Sequence, residues 1–139
     1  MQMSTKMSDV LQSIMAMKTW VKIWLMMLGP ANMAAFLFLD TNIGYWSAVA
    51  GVLVVATNIP MMFIQGGVTR ALSLPHMIWV PLLIYIFPQI IGPDALDPMS
   101  AEFKLGVTIF VLNSISLAFD FLESYRWVKG EREILGLEA

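Results

Sequence analysis

Asn113, Ser116, Asp120, Glu123 and Trp127 follow one another along the chain at steps of three and four. On a helix those steps gather all five side chains into an arc of roughly 80° at 3.6 residues per turn. The neighbouring positions Ile109, Phe110, Val111, Leu112, Ile115, Leu117, Phe119, Phe121 and Leu122 are apolar and suited to lipid. A carboxylate in such surroundings must be paired, hydrated or protonated. Burial that favours the neutral acid makes it a proton carrier, and an ionised carboxylate can hold a cation. The two acids separate on this ground. Glu123 has Arg126 three residues on, and Arg70 can reach the same level, so it reads as half of an ion pair. Asp120 has no basic residue three or four positions away and is the stronger candidate for chemistry.

Three further features bear on the stripe. His76 is the only histidine of the chain and begins a hydrophobic stretch. On a regular helix it points roughly 140° away from the row Pro81, Tyr85, Pro88 and Gly92. A lone histidine at such a place holds structure by hydrogen bonding, or it handles protons; haem ligation would need a second copy of the chain. Asn58 closes a row of small side chains, Gly44, Ala48, Gly51 and Val55, at about the depth of Asp120, with Gln65 seven residues further. Small residues let helices approach closely in lipid, which explains the row as a packing seam. Gly29-Pro30, followed by Asn32, predicts a kink, because proline removes a backbone donor and bends the helix.

These residues sit in a chain of membrane composition. Of its 139 residues, 58% are apolar and 13% charged, with a mean hydropathy of +0.74, whereas soluble domains carry about 25% charged residues. One all-α domain spanning residues 1–139 is expected, with four transmembrane helices at about 19–39, 43–64, 74–92 and 105–128. Each is close to the roughly 20 residues that cross a bilayer core. Asp40-Thr41-Asn42 is too short for anything but a tight reversal, so the spans form two antiparallel hairpins, with Pro93 to Glu102 as the longest loop. Residues 1–18 read as an uncleaved start with a short interfacial helix capped by Ser8 or Asp9, because Lys18 and Lys22 interrupt any signal-peptide core.

Charge orients the bundle. Lys6, Lys18, Lys22, Arg70, Arg126, Lys129 and Arg132 fall on one side and only Lys104 on the other. The positive-inside rule then makes both termini cytoplasmic, in a bacterial inner membrane. Trp20, Trp24, Trp79, Tyr125 and Trp127 flank the same side.

Much chemistry is excluded. The net charge of −2 offers nothing to nucleic acid. Without cysteine there are no disulfides, thiolate metal sites or thiol nucleophiles, and the twelve scattered methionines read as flexible apolar filler. No Ser-His-Asp or phosphate-loop set is present, so the residues lean against an enzyme without deciding it, and no cofactor or metal is expected. The Gly130-Glu131-Arg132-Glu133 segment reads as a solvated helix end. The leading expectation is an oligomeric ion, proton or small-solute transporter or channel. Its cytoplasmic half would be lined by Asn58, Asn113, Ser116, Asp120 and His76 within a lipid bilayer. The alternative is a non-catalytic accessory or assembly subunit whose stripe docks a membrane partner.

Overall fold

The computed structural model describes residues 2–137, with side chains from Lys6 onward. All regular structure among the described residues is helical: α1 (Gln2–Met15), α2 (Thr19–Met33), α3 (Asn42–Gln65), α4 (Trp79–Ile90) and α5 (Ala101–Val128). Two stretches of tighter 3-10 winding complete it. Ala34–Leu37 extends α2, and Arg70–Ile78 leads into α4. Four helical runs are long and apolar enough to cross a membrane: Thr19–Leu37, Asn42–Gln65, Arg70–Ile90 and Ala101–Val128. This is compatible with a small membrane protein.

The 3-10 stretches matter for length. Fifteen α residues and four 3-10 residues give the first run about 30 Å, the thickness of a hydrocarbon core. Nine 3-10 residues and twelve α residues give the third run about 36 Å, matching the 24 residues of α3.

Local chemistry sets the ends. Thr41 precedes α3 in extended conformation, and its hydroxyl accepts from the Gly44 N–H. Gly66 ends that helix at φ 77°, a left-handed conformation that glycine adopts without strain. Ser100 caps α5 by accepting from the Phe103 N–H at 3.1 Å. Glu102 then reaches across to accept from the Ile43 N–H at 3.1 Å. This cap lies inside the stretch expected as loop, so the fourth span starts four residues earlier than position 105. The third likewise starts at Arg70 rather than at 74, and the second runs from Asn42 to Gln65. At the N-terminus, Ser8 and Asp9 lie within α1 rather than capping it.

α5 packs against α2, α3, α4 and the 3-10 stretch before α4. Ile43, Ile86 and Ile109 are fully buried where α3, α4 and α5 meet. Gly106 makes that meeting possible, since a Cβ there would come 2.8 Å from Ile43 Cδ1 and 3.2 Å from Ile90 Cγ2. Ile109 and Leu117 therefore face the core rather than lipid. The small-residue row on α3 is likewise only partly a seam. Gly44 and Ala48 are buried, but Val55 is exposed and nothing lies within 4 Å of a Cβ added at Gly51. Ser47 and Val54 carry the buried face onward instead.

α2 runs through Gly29 and Pro30 to Met33, and the change of winding comes at Ala34. Residues 130–137 do not trail into solvent. The Leu135 N–H donates to the Val68 carbonyl at 3.0 Å, and Gln12 Nε2 donates to the Gly136 carbonyl at 3.1 Å. Ser13 Oγ accepts from the Val68 N–H at 2.8 Å, so α1, the turn after α3 and the C-terminal segment are stitched together.

Candidate functional site: an imidazole between a carboxylate and an amide

The 3-10 stretch organises the site. At three residues per turn, side chains three apart eclipse one another, and Arg70, Ser73, His76 and Trp79 occur at that spacing. In an α-helix each step of three would rotate the side chain back by about 60°, spreading the four over half the helix surface. Here they form one row, and the first three meet α5. Arg70 pairs with Glu123. Ser73 Oγ donates to the Arg70 carbonyl at 2.6 Å and lies 2.8 Å from Ser124 Oγ, which donates to it. His76 Nδ1 lies 2.9 Å from Asp120 Oδ1. Trp79, 4% exposed, stacks on the His76 ring with centroids 4.6 Å apart and planes 4° from parallel.

The other face of the imidazole meets α3. His76 Nε2 lies 3.1 Å from Asn58 Nδ2. An ionised carboxylate only accepts and an amide NH2 only donates. With Asp120 ionised and the Asn58 amide as placed, this geometry suits a hydrogen on Nδ1 and a lone pair on Nε2. Asp120, 9% exposed, holds its second oxygen 3.4 Å from Ser116 Oγ. Two neighbouring groups lack partners among the described residues: the Asn58 Oδ1 acceptor and the Trp79 indole N–H, both buried.

Depth agrees across the three elements. His76 is six 3-10 residues, about 12 Å, from the start of its run at Arg70. Asp120 is eight residues, about 12 Å, from the end of α5, and Asn58 about 10 Å from the end of α3. The longer third run thus takes His76 from the expected span boundary to the level of Asp120.

Two polar groupings flank the site. Towards the middle of α5, Asn113 is fully buried and exchanges two hydrogen bonds with Asn32 of α2, at 2.8 and 2.9 Å. Asn32 Nδ2 also reaches the Leu28 carbonyl at 3.0 Å. Near the end of α5, Glu123 bonds to Arg70 and Arg126, and Glu131 holds Arg126 at 2.7 Å and Arg70 at 3.3 Å. Two cations and two anions balance there. The hydrogen bond from Arg126 holds the Glu131 carboxyl below its ordinary range, aided by the charges of Arg126 and Arg70 and opposed by partial burial.

The structure brings Asn58, His76, Asp120 and Ser116 together and sets Asn113 and Glu123 apart, each with its own partners. Trp127 is half-buried and stacks under Arg132, 5.1 Å from ring centroid to guanidinium carbon. Sequence reading did not find Asn32 as the partner of Asn113, Trp79 as the platform for His76, or Glu131 as an ion-pair partner. The period-three run Arg70-x-x-Ser73-x-x-His76-x-x-Trp79 was the available signal. An open groove of about 540 Å³ between α4 and α5 is lined by Val80, Leu83, Phe87, Phe110 and other almost wholly apolar side chains, away from these polar groups.

No group of three or more His, Cys, Asp or Glu side chains among the described residues is placed to hold a metal ion. The fold and site define an all-helical chain with four membrane-length helical runs around a buried carboxylate–imidazole–amide set. Comparison with protein-family models, curated proteins and solved structures finds no match.

Proposed function

We propose that this chain is a small multi-pass membrane protein that moves an ion, a proton or a small solute, with Asn58, His76, Asp120 and Ser116 as its working site. The observation that carries this reading is the continuous contact Asn58–His76–Asp120–Ser116 between three apolar helical runs. Ionisable side chains such as His76 and Asp120 in lipid-spanning helices are costly and point by default to a pathway or relay. In this reading the helices form two antiparallel hairpins with both termini cytoplasmic, on the charge asymmetry of Lys6, Lys18, Lys22, Arg70, Arg126, Lys129 and Arg132 against Lys104. The site then lies in the cytoplasmic half. Flux of protons and monovalent cations into proteoliposomes tests it: Asp120→Asn abolishes flux, and equal flux in wild type and variant ends the reading.

A second reading, a non-catalytic accessory or assembly subunit of a larger membrane complex, draws on a different observation. Only 11% of the Thr19–Leu37 window and 22% of the Asn42–Gln65 window are buried within the chain. Gly29 and Gly51 lie open, with nothing within 4 Å of an added Cβ. Small open residues on membrane helices suit packing against another helix. The stripe itself is less suited to docking a partner, since Asn113, Asp120 and Glu123 already have partners within the chain. Mild detergent extraction separates the cases: a co-purifying second protein supports the subunit reading, and a lone monodisperse species of this chain counts against it.

A further inference from the structure

We propose that the species bound at this site is a proton, taken up by His76 Nε2, and that the Asn58 amide turns over to receive it. The inference rests on the transport reading for its purpose but not for its chemistry. As the side chains stand, Asp120 accepts from Nδ1–H while Asn58 Nδ2 donates to the Nε2 lone pair, and Asn58 Oδ1 is buried without a partner. Either orientation of the amide leaves one end without a partner, so the hydrogen on Nε2 decides which end faces the imidazole. Rotating the amide by 180° exchanges its oxygen and nitrogen at nearly unchanged atomic positions. Asn58 Oδ1 then faces Nε2 and is satisfied only if Nε2 carries a hydrogen. One proton supplies it, given up by a hydronium ion of the aqueous phase that is left as water. The imidazole becomes an imidazolium, and its two N–H groups point at Asp120 Oδ1 and Asn58 Oδ1. No bond other than N–H forms, and no other group changes charge.

Charge favours the same step. An ionised Asp120 beside a neutral His76 leaves one negative charge inside apolar helices, and uptake of one proton would neutralise the pair. No other charge at this level does so. On α5 the next acid, Glu123, is matched by Arg70 and Arg126. On the 3-10 stretch Arg70 is engaged by Glu123 and Glu131. α3 carries no acid, lysine or arginine along its length. The basic residue of α2, Lys22, donates to the Met15 carbonyl at 2.7 Å. The Trp79 ring stacked on His76 presents an aromatic face to the imidazole.

A metal cation is the competing occupant, and the donor set does not suit it. Sodium, potassium and divalent ions of the hard class take six or so oxygens. Here one carboxylate oxygen of Asp120 is committed to His76, the other is near the Ser116 hydroxyl, and Asn58 offers a single carbonyl. A proton needs only the one lone pair that the site presents.

Because the chain holds one histidine, histidine-selective 15N NMR in nanodiscs reads this group without assignment. At alkaline pH the expected signal is the Nδ1–H tautomer, giving way on acidification to the imidazolium. Asn58→Asp places a carboxylate against Nε2 and raises the midpoint by about one pH unit or more, tenfold in proton affinity. Asn58→Leu removes the acceptor and lowers the midpoint by a similar amount, about one unit. Raising sodium or potassium concentration leaves the wild-type midpoint in place. An Nε2–H tautomer at alkaline pH overturns the proposal from the wild-type chain alone, whatever the variants do in folding. Equal midpoints in wild type and both Asn58 variants, or a midpoint pulled down by alkali cations, also overturn it. Absence of flux in proteoliposomes, with the tautomer and midpoints as expected, removes the transport reading and leaves the proton site standing.

Discussion

Asn32 of α2 and Asn113 of α5, 81 residues apart, each donate to and accept from the other, and so join two spans by a closed pair of amide hydrogen bonds. Asn113 is fully buried, so neither half of the pair can be removed without leaving the other short of a partner. Asn113→Leu and Asn32→Leu are each expected to destabilise the bundle by about 1–3 kcal/mol, with the double variant costing clearly less than their sum. Reversible unfolding in mixed micelles checks it. Additive single effects would mean that the amides do not act as a pair.

Two glycines are expected to respond oppositely to alanine. A Cβ at Gly44 would fall 2.0 Å from the Phe38 carbonyl oxygen, a backbone atom that cannot step aside alone. Gly44→Ala should cost about 1–3 kcal/mol. Gly29 meets nothing within 4 Å, so Gly29→Ala should be neutral to stabilising, by up to about 1 kcal/mol. The same unfolding measurement decides both. A stabilised Gly44→Ala would contradict the close approach of the loop to α3.

Acid should loosen the C-terminal segment before it unfolds the bundle. Glu131 has its folded value held below the ordinary 4.5 by Arg126 first and then by the Arg126 and Arg70 charges. A carboxyl lowered on folding stabilises the fold above its unfolded value, and that stabilisation is lost as pH falls through the lower, folded one. The hydrogen-exchange protection factor of the Leu135 N–H, bonded to Val68, should therefore drop below about pH 4.5. Glu131→Gln should lower it already at neutral pH. Unchanged protection in that variant would show that the backbone bonds hold the segment unaided.

The absence of cysteine makes orientation directly measurable. Single cysteines at Glu133 and at Asp94 should label from opposite sides of sealed inverted vesicles, with Glu133→Cys on the cytoplasmic face. Labelling of both positions from one side would refute the four-span arrangement.

How far the sequence disclosed this arrangement depends on which helix geometry each residue obeys. Asn113, Ser116 and Asp120 lie on α5, an uninterrupted α-helix, and their spacing at three and four placed them on the buried side. Glu123 and Arg70 were within reach because opposite charges near one membrane level seek each other. His76 was harder, because nine residues around it wind at three per turn. Angles taken at 3.6 per turn place its neighbours wrongly, and the stack on Trp79 vanishes from view. Asn32 was visible as a polar residue after a proline. Its partner lay on a distant span, however, and only tertiary packing could choose between the candidates. Glu131 looked like one charge in a solvated run, since nothing local shows that the chain folds back.

That fold-back has a consequence for how the protein is made. Gln12 and Ser13 precede all four spans in the chain, whereas Gly136 follows them. Val68 in between waits for Leu135 as well. During synthesis Ser13 can meet Val68 early, but the bond from Gln12 to Gly136 forms only after translation of the last helix. A chain stalled or cut before residue 134 would carry its spans and the Ser13–Val68 bond but lack the bonds from Gln12 to Gly136 and from Leu135 to Val68.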